Sequence, residues 1–540
     1  MTGSSLAAGQ QRAGAAPVRR SWAARVLDLL RRHWLVSVFL AAGLVLRVLA
    51  KLAYSPALIY VDTLKYLYGV YPGSDPLGYR ALLKAVLPFG GLPAVAVLQC
   101  LLGLAVAVAL YAVLLRRGVA RWLAAAAVAP VLLDAYQLHM EQMIMPDVWF
   151  DAMIVAGLVV LLWRPALSAP FVIAAGLILG SSAAVKALGE VLVAPALLFV
   201  LLAAGGGWRR VIGLAAAFGA AFALPVFGYC AISYATTGHF WLAAGQSNSG
   251  RLAAQADCAT LRLPADVRPL CPTPAEQAQG PDWLEHSGAS PLHAAPVPRG
   301  ASRARLVAEL DSAIEHQQPL RVVAGIASDA LRLFEVSRSP TPWTTPISRW
   351  QFQTSYPVYP HWVTLGPGHV IIVGLQRRVF GMFRLHPLNP AYGGPARVSR
   401  PLASFLRSYQ LDGGYTPGPL LAVFFLAGLA GSGLVAVRRT RGTRTRQLAL
   451  ASLLFTATAG TVLLVPDILE FSWRYQLPAL VTLPPAGVAG IAALLSLRQT
   501  RTEDRAERVI SSSDVAWVPG PDGQENGAAA SRDAPAPPSP

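Results

Sequence analysis

The chain has 540 residues, of which 54% are hydrophobic and 14% charged, whereas soluble domains carry about 25% charged residues. A total of 45 Lys and Arg residues against 28 Asp and Glu residues gives a net charge of +17. The excess is nearly all arginine, set in short clusters between long apolar segments, which is typical of a membrane protein with basic cytoplasmic loops. This composition excludes an ordinary soluble domain and argues against a nucleic-acid partner.

Apolar segments of membrane-spanning length recur along the chain. A hydrocarbon core of about 30 Å requires roughly 20 apolar residues per helix. The segments that meet or approach this length are 34–54, 91–115, 119–138, 148–163, 168–186, 188–204, 211–234, 418–437, 447–465 and 476–497. We therefore predict an all-α polytopic membrane protein with about ten transmembrane helices.

The basic residues of the short connections predict the orientation. With a cytoplasmic N-terminus, eleven of them are inner and five are outer. The inner residues are Arg116, Arg117, Arg121, Arg164, Arg209, Arg210, Arg438, Arg439, Arg441, Arg444 and Arg446. The outer residues are Lys65, Arg80, Lys84, Lys186 and Arg474. Because short cytoplasmic loops are enriched in Lys and Arg, we predict a multi-pass protein of the plasma membrane with both termini in the cytoplasm.

The spacing of these segments predicts five parts. A basic cytoplasmic tail (1–33) precedes a seven-helix membrane core (34–234). Residues 235–417 are predicted to form one large extracytoplasmic domain of mixed structure between helices seven and eight, and 418–497 contains the last three helices. The Gly-, Ser- and Pro-rich segment 498–540 is predicted to be a disordered cytoplasmic tail.

Two of the four cysteines are candidates for a disulfide bond. Cys258 and Cys271 share a polar segment of the predicted outer domain, where oxidising conditions permit a bridge. Cys100 and Cys230 lie in apolar segments and are predicted to be packing residues.

The sequence contains no Walker A motif, no dinucleotide-binding glycine motif and no H-E-x-x-H motif. Nucleotide hydrolysis, dinucleotide redox chemistry and zinc-protease chemistry therefore have no support. The candidates for function are ionisable groups at the outer membrane face, because charges placed there are costly and usually functional.

Carboxylates in the first two outer loops are the first candidates. Asp62 precedes Tyr66 by one helical turn and could deprotonate an incoming hydroxyl, or it could cap a helix or be a solvated loop charge. Glu141, Asp147 and Asp151 follow in the second loop with no basic residue between them. Such a group could hold a divalent cation; alternatively, Asp147 caps the fourth helix and Asp151 faces the bundle.

Cations near the same face are the second candidates. Lys186 lies at the outer end of the fifth apolar segment, with Glu190 one turn later. Its ammonium could attract a lipid phosphate, pair with Glu190 or extend to the membrane interface. Arg474 lies with Asp467 and Glu470 in the loop before the last helix. We expect these groups to surround one site.

In this order the motifs resemble those of the GT-C glycosyltransferases that use polyprenyl-phosphate sugars, including protein O-mannosyltransferases and aminoarabinose transferases. The resemblance covers roughly the first 240 residues and the last 75. The matching positions are Asp62, Tyr66, Pro76-Leu77-Gly78-Tyr79, Glu141, Asp147, Lys186 and Trp473 to Pro478. Many relatives have Arg-Pro at Lys186-Ala187, and relatives often carry an acidic pair where this chain has Asp62. The segment from Asp257 to Cys271 resembles uncharacterised actinobacterial-type members.

The resemblance implies a GT-C fold and a donor phosphate near Lys186 and Arg474. Asp62 would activate an acceptor hydroxyl of an envelope glycan, lipid or protein, and a single displacement would invert the sugar carbon. Tyr66, Tyr79, Glu141 and Asp147 are the other candidate substrate-binding residues. No cofactor follows from the motifs, apart from the divalent cation that the outer carboxylates could hold.

A transporter or flippase of a lipid-linked glycan is the alternative function. Such proteins commonly have broken helices at matching positions of two repeats. The predicted layout of seven helices, an outer domain and three helices has no such internal repeat, which favours the glycosyltransferase.

Overall fold

The computed structural model describes residues 28–68, 76–243, 247–356, 361–366, 369–373, 396–437 and 444–514. Most of the predicted N-terminal tail, the basic connection 438–443 and the tail after residue 514 lie outside the described residues. The chain divides into two units, residues 1–494 and residues 495–540. The candidate site belongs to the first unit.

Each predicted apolar segment contains a helix. The helices before residue 240 are α1 (Trp34–Ala53), α2 (Val61–Tyr68), α3 (Gly78–Val86), α4 (Gly91–Arg116), α5 (Arg121–Leu133), α6 (Ala135–Gln142), α7 (Asp147–Leu162), α8 (Ala169–Val185), α9 (Val193–Ala203) and α10 (Trp208–Thr237). A 3-10 helix, Ala187–Leu192, leads into α9. These helices enclose an apolar core to which residues such as Leu110, Phe150 and Phe218 contribute.

The segment between residues 240 and 417 is built mainly from short helices. These are α11 (Ser249–Gln255), α12 (Pro274–Gln277), α13 (Pro281–His286), α14 (Pro291–Ala294), α15 (Arg303–Gln317), α16 (Pro319–Arg332) and α17 (Arg400–Leu411). Helix α15 buries Leu306, Leu310 and Ile314, which are residues of the apolar stripe in its sequence. These three residues belong to a small apolar core. A disulfide bond joins Cys258 to Cys271, and both cysteines pack against this core.

Strands contribute little to the described fold. Strand β1 (Tyr54–Ser55) pairs antiparallel with β4 (Arg397–Val398), and β2 (His361–Gly366) forms a hairpin with β3 (His369–Val373). The β1–β4 pair fastens the segment before α17 to the end of α1. Contacts of this kind hold the 240–417 segment against the ends of the membrane helices.

The C-terminal helices are α18 (Gly418–Gly433), α19 (Arg444–Asp467) and α20 (Pro478–Asp514). Helix α20 continues beyond residue 497, where the disordered tail was predicted to begin. The residues after 497 include several Arg, Glu and Ala residues, which have high helix propensity. The part of the tail up to Asp514 is therefore helical.

Among the residues that the structure describes, six helices are long and apolar enough to cross a membrane. They are α1, α4, α10, α18 with its extension to Ala436, α19, and α20 up to Gln499. The bent pair α5–α6 is a seventh, whereas α8 and the segment Ala187–Ala203 are shorter apolar helices. An all-α polytopic membrane protein is thus confirmed, with six or seven helices that meet these criteria.

The third predicted segment is not one straight helix. It bends by 49° between α5 and α6, because Asp134 adopts an extended conformation and accepts a hydrogen bond from the backbone N–H of Tyr136. The break leaves carbonyl groups at the end of α5 without helical partners. Arg47 donates to two of them, those of Val131 and Leu132.

Candidate functional site

Backbone hydrogen bonds join the first and second loops at one end of the helices. The N–H of Leu58 donates to the carbonyl of Gln142 at 2.9 Å, and the N–H of Ile144 donates to the carbonyl of Leu58 at 3.0 Å. The Thr63 hydroxyl also donates to the carbonyl of Ile144. This pairing brings α2, which carries Asp62, next to the start of α7, which carries Asp147.

Arg474 lies between these two carboxylates. Its Nη1 is 2.9 Å from Oδ2 of Asp62, and its Nε is 3.2 Å from Oδ2 of Asp147. The two aspartates are separated by 85 positions in the sequence, and Arg474 follows more than 300 positions later. One guanidinium therefore connects three segments that are remote along the chain.

Two lysines complete this group. Nζ of Lys186 is 2.8 Å from Oδ1 of Asp147, and Nζ of Lys65 is 3.1 Å from Oδ1 of Asp62. Lys186 is the residue that follows α8, and Lys65 lies one turn after Asp62 in α2. Lys186 thus pairs with Asp147 rather than with Glu190. We call the five residues Asp62, Lys65, Asp147, Lys186 and Arg474 the ion network.

Aromatic rings surround the cations of the network. The Arg474 guanidinium lies 5.5 Å from the ring centre of Trp350 and 5.2 Å from that of Tyr475. The Lys186 ammonium lies 5.1 Å from the Tyr475 ring. Such contacts stabilise cations and limit the directions in which the side chains can move. Trp350 belongs to the 240–417 segment, so this segment contributes directly to the site.

The ion network is charged. Burial raises the pKa of Asp62, but the charges of Lys65 and Arg474 outweigh it and hold this pKa at about 2. Both aspartates are ionised when Asp62 and Asp147 form these ion pairs, so the network as described here contains three cations and two anions. The side chains of Lys65, Asp62 and Lys186 are 27%, 19% and 15% exposed. These side chains are accessible to solvent, so an anion can approach the network.

Tyr66 and Tyr79 pack against each other, and Tyr66 lies one helical turn after Asp62. Their rings are 5.1 Å apart and nearly perpendicular, and both side chains are buried. The Tyr79 hydroxyl donates to Gln99, whose amide donates to the carbonyls of Glu141 and Met143. In this structure the two tyrosines support the paired loops, and Gln99 is a supporting residue that the sequence analysis missed.

Glu141 does not join the network. Its carboxylate is 2.7 Å from Nη2 of Arg47 and accepts a second hydrogen bond from Gln137. Glu141 lies in the last turn of α6, whereas Asp147 is the first residue of α7, beyond a non-helical stretch that begins with the extended Met143. The sequence spacing that grouped these two carboxylates did not reveal this break between the helices.

Asp467 and Glu470 join the Arg474 loop to the 240–417 segment. Asp467 accepts a hydrogen bond from Gln476, and Arg251 donates to its backbone carbonyl. Glu470 accepts from the Thr345 hydroxyl at 2.7 Å. Burial and the nearby Asp282 raise the pKa of Glu470 to about 7. These contacts fix the position of the loop that carries Arg474.

The carboxylates of the described residues do not form a metal-binding group. No three His, Cys, Asp or Glu side chains come together in the part of the chain that the structure describes. Asp62 and Asp147 instead pair with a guanidinium and ammonium groups, which would compete with a divalent cation. The residues present do not fit a metal ion, and no chemical step is assigned to one.

Comparisons with known proteins give structural matches only. No protein-family model matches the chain, and no curated protein matches it. Among solved structures, the chain matches the S. cerevisiae protein O-mannosyltransferase Pmt1–Pmt2 complex bound to its sugar donor. The identity is 18%, the TM-score is 0.31, and the match covers 39% of this chain and 34% of the other.

Two further matches cover more of the chain. The archaeal oligosaccharyltransferase AglB from Archaeoglobus fulgidus, in complex with an inhibitory peptide and a dolichol-phosphate, is 11% identical with a TM-score of 0.40. This match covers 90% of this chain and 52% of AglB. ArnT from Cupriavidus metallidurans bound to undecaprenyl phosphate is 14% identical with a TM-score of 0.29, over 85% of this chain and 77% of ArnT.

Proposed function

We propose that the chain is a membrane glycosyltransferase that transfers a hexose or pentose from a polyprenyl-phosphate donor to a cell-envelope acceptor. The observation that carries this proposal is the ion network at the ends of the apolar helices. It combines partly exposed cations with a carboxylate, Asp62. A lipid phosphate and a hydroxyl acceptor are the reactants that such a combination suits.

The donor phosphate is bound by Arg474 and Lys186. A guanidinium presents a planar fork of N–H donors that matches a phosphate, and an ammonium adds a compact point charge. The phosphate takes the place of the Asp62 carboxylate on Nη1 of Arg474, because Asp62 is the more exposed of the two carboxylates that this guanidinium binds. Asp147 stays paired with Lys186 and orients both cations.

Asp62 is the general base of the proposed reaction. The cations that hold its pKa at about 2 also make it a weak base while they remain paired with it. When the phosphate takes over Arg474, Asp62 loses part of this stabilisation and its pKa rises. The base is thereby activated when the donor is present, which limits reaction with other hydroxyl groups.

The transfer is a single displacement. The acceptor oxygen forms a bond to the anomeric carbon from the side opposite the phosphate, and its proton passes to the Asp62 carboxylate. The bond between the anomeric carbon and the phosphate oxygen breaks, and polyprenyl phosphate leaves with its charge stabilised by Arg474 and Lys186. The configuration at the anomeric carbon is inverted.

The acceptor is an envelope glycan, lipid or protein on the extracytoplasmic side of the plasma membrane. The basic residues of the inner connections and the departure of the 240–417 segment from the site end of the helices support this orientation. Both termini are then cytoplasmic, and membrane lipids surround the apolar helices.

Transfer by the reconstituted protein tests the proposal. The native chain and Asp62→Asn would be supplied with labelled polyprenyl-phosphate sugars and envelope acceptors. Loss of a general base typically lowers the rate by about 10²–10⁴-fold, so we expect Asp62→Asn to lose transfer while still binding the donor. Asp266→Asn, at an exposed position of the 240–417 segment, is the control and should keep the native rate.

Two results would contradict the proposal. Native rates from Asp62→Asn would remove Asp62 as the base. Movement of a lipid-linked glycan across the bilayer by the native chain, without any transfer, would support the transporter or flippase alternative.

A further inference from the structure

A cleft of about 620 Å³ lies in the 240–417 segment, outside the ion network. Residues at the end of α11, residues 274–278 and one face of α16 line it, and Trp343 forms part of its wall. Its volume falls within the range of about 300–1,000 Å³ that is typical of small-ligand sites. Nothing in the proposed transfer step uses this cleft.

One face of α16 forms the long side of the cleft. Arg321, Gly325, Ser328 and Arg332 lie at spacings of four, three and four residues, which places them in a row along the helix. The two arginines are therefore about 16 Å apart along the helix axis, at 1.5 Å per residue. Between the two arginines, Gly325 lets the Gln255 side chain lie directly against the helix.

Arg321 is available to an incoming anion. Its side chain is 57% exposed, its Nη1 donates to the backbone carbonyl of Gln255 at 3.3 Å, and its Nη2 is 3.6 Å from Asp257. A guanidinium carries five N–H donors, so these contacts leave donors for a ligand.

Asp329, the acidic residue that lines the cleft, does not neutralise Arg321. Asp329 is 3.0 Å from Arg332 and 3.1 Å from the buried Arg251. The carboxylate is therefore already neutralised by two guanidinium groups. Arg321 and Arg332 each have a further carboxylate nearby, Asp257 at 3.6 Å and Glu335 at 3.7 Å, so the cleft offers the exposed guanidinium of Arg321 rather than a net positive charge.

Two side-chain amides add hydrogen-bonding groups. Among the described residues, the side-chain oxygen of Gln255 is one of several buried polar atoms without a hydrogen-bond partner, and it is an unused acceptor in the wall of the cleft. The Gln277 amide nitrogen donates to the carbonyls of Ala253 and Ala256, which fixes its orientation. Amide groups beside the Trp343 ring suit a ligand with hydroxyl groups and one apolar face.

The cleft is connected to the proposed active site through a chain of contacts. Asp329 pairs with Arg251, and Arg251 donates to the backbone carbonyl of Asp467. Asp467 in turn accepts a hydrogen bond from Gln476, two residues after Arg474. Asp329, which lines the cleft, is therefore linked through Arg251 and Asp467 to the loop that carries Arg474.

We propose that this cleft binds an anionic saccharide unit of the acceptor, with its acidic group on Arg321 and its hydroxyls on Gln255 and Gln277. The assignment to the acceptor rests on the proposed function, whereas the binding of an anionic saccharide does not. Acceptor recognition by the cleft would hold the reacting end near Asp62 and supply specificity that the ion network lacks.

Binding to the full-length protein in detergent tests this assignment. The probes are a hexuronic-acid disaccharide, its carboxyl-reduced neutral counterpart and a matching disaccharide phosphate, followed by saturation-transfer NMR and titration calorimetry. We expect at least one acidic probe to bind more tightly than the neutral one. Arg321→Gln should weaken that binding by about tenfold, as expected for loss of a charge-assisted hydrogen bond.

Two further variants separate the cleft from general effects. Ser328→Trp, at an exposed position, should block the cleft and abolish binding. Arg305→Gln removes an arginine that is 75% exposed on α15, outside the cleft, and should bind as the native chain does. Arg474→Gln should also keep disaccharide binding, because this residue lies in the ion network.

Failure of the cleft and failure of the proposed function give different results. Absence of binding by all three probes, or equal binding by the native chain and Arg321→Gln, overturns the assignment of the cleft as a saccharide-binding site. Disaccharide binding that depends on Arg321, in a chain that binds no polyprenyl-phosphate sugar, supports the cleft and overturns the proposed function.

Discussion

Two guanidinium–carboxylate sites in this protein have the same chemical groups and different surroundings. Arg47 and Glu141 form one pair inside the helical core, with side chains 2% and 0% exposed. Arg474 forms the other site with Asp62 and Asp147 at the ends of the helices. Both sites join segments that are distant in the sequence, but only the second has lysines and accessible side chains.

The difference lies in the other partners of each arginine. Arg47 also donates to the backbone carbonyls of Gly43, Val131 and Leu132, so its hydrogen bonds stabilise the break between α5 and α6. Arg474 is bound by side chains alone among the hydrogen bonds described for it. A ligand phosphate can replace a side-chain carboxylate, whereas it cannot replace backbone carbonyls inside the core. The first site is therefore structural and the second is suited to binding.

The largest effect is expected at the buried pair. Arg47→Met leaves the Glu141 carboxylate without its cation and removes the hydrogen bonds to the end of α5. Removal of one partner from a buried ion pair typically costs about 3–5 kcal/mol. Unfolding of the detergent-solubilised protein should show this loss of stability, whereas donor binding by the folded fraction should be unchanged.

The double variant Arg47→Met/Glu141→Gln sharpens this test. It removes the uncompensated charge, so we expect it to recover part of the lost stability. Native stability in Arg47→Met alone would show that the pair does not support the helix break.

A smaller effect is expected from Lys186→Gln, which removes one cation from the ion network. The donor KM should rise by about tenfold, as expected for one charge-assisted hydrogen bond, with a smaller fall in kcat because Lys186 also stabilises the departing phosphate. Steady-state transfer rates over a range of donor concentrations measure both values. Lys84→Gln, at an exposed position of α3, is the matched control, and equal KM values in the two variants would remove Lys186 from the donor site.

The smallest effect is expected from Lys65→Gln and appears in the pH profile. Lys65 helps to lower the pKa of Asp62, and transfer requires the ionised carboxylate, so activity falls as the pH drops through this pKa. Without the Lys65 charge the pKa is higher, and the acid limb of the profile should move to higher pH. Lys65→Arg keeps the charge and should keep the native profile; an unmoved limb in Lys65→Gln would exclude this coupling.

The positions of the apolar helices could be predicted because their hydrophobic length is a local property of the sequence. The break at Asp134 could not, since it depends on Arg47 and on the backbone N–H of Thr416, which donates to the Asp134 carboxylate. The helical continuation of α20 was also missed, because the polar composition after residue 497 was taken to indicate disorder. Helix propensity was the available signal.

Four of the five residues of the ion network could be predicted from the sequence, but their ion pairs could be predicted only in part. Asp62, Asp147, Lys186 and Arg474 were all selected as charges near one membrane face, and the structure brings them together. Lys65 was counted only for orientation, although its spacing from Asp62 was a usable signal. Trp350 could not be selected, since the sequence does not show which cation such a ring will contact.

The sequence by itself determined a helical membrane protein with charged groups concentrated in the loops, because apolar length and charge follow from composition. Only the tertiary structure decided which carboxylate meets which cation. The backbone pairing of Leu58 with residues 142 and 144 lies between Glu141, which pairs with Arg47, and Asp147, which pairs with Arg474. Side chains six positions apart thus serve different sites because one helix ends and another begins between them.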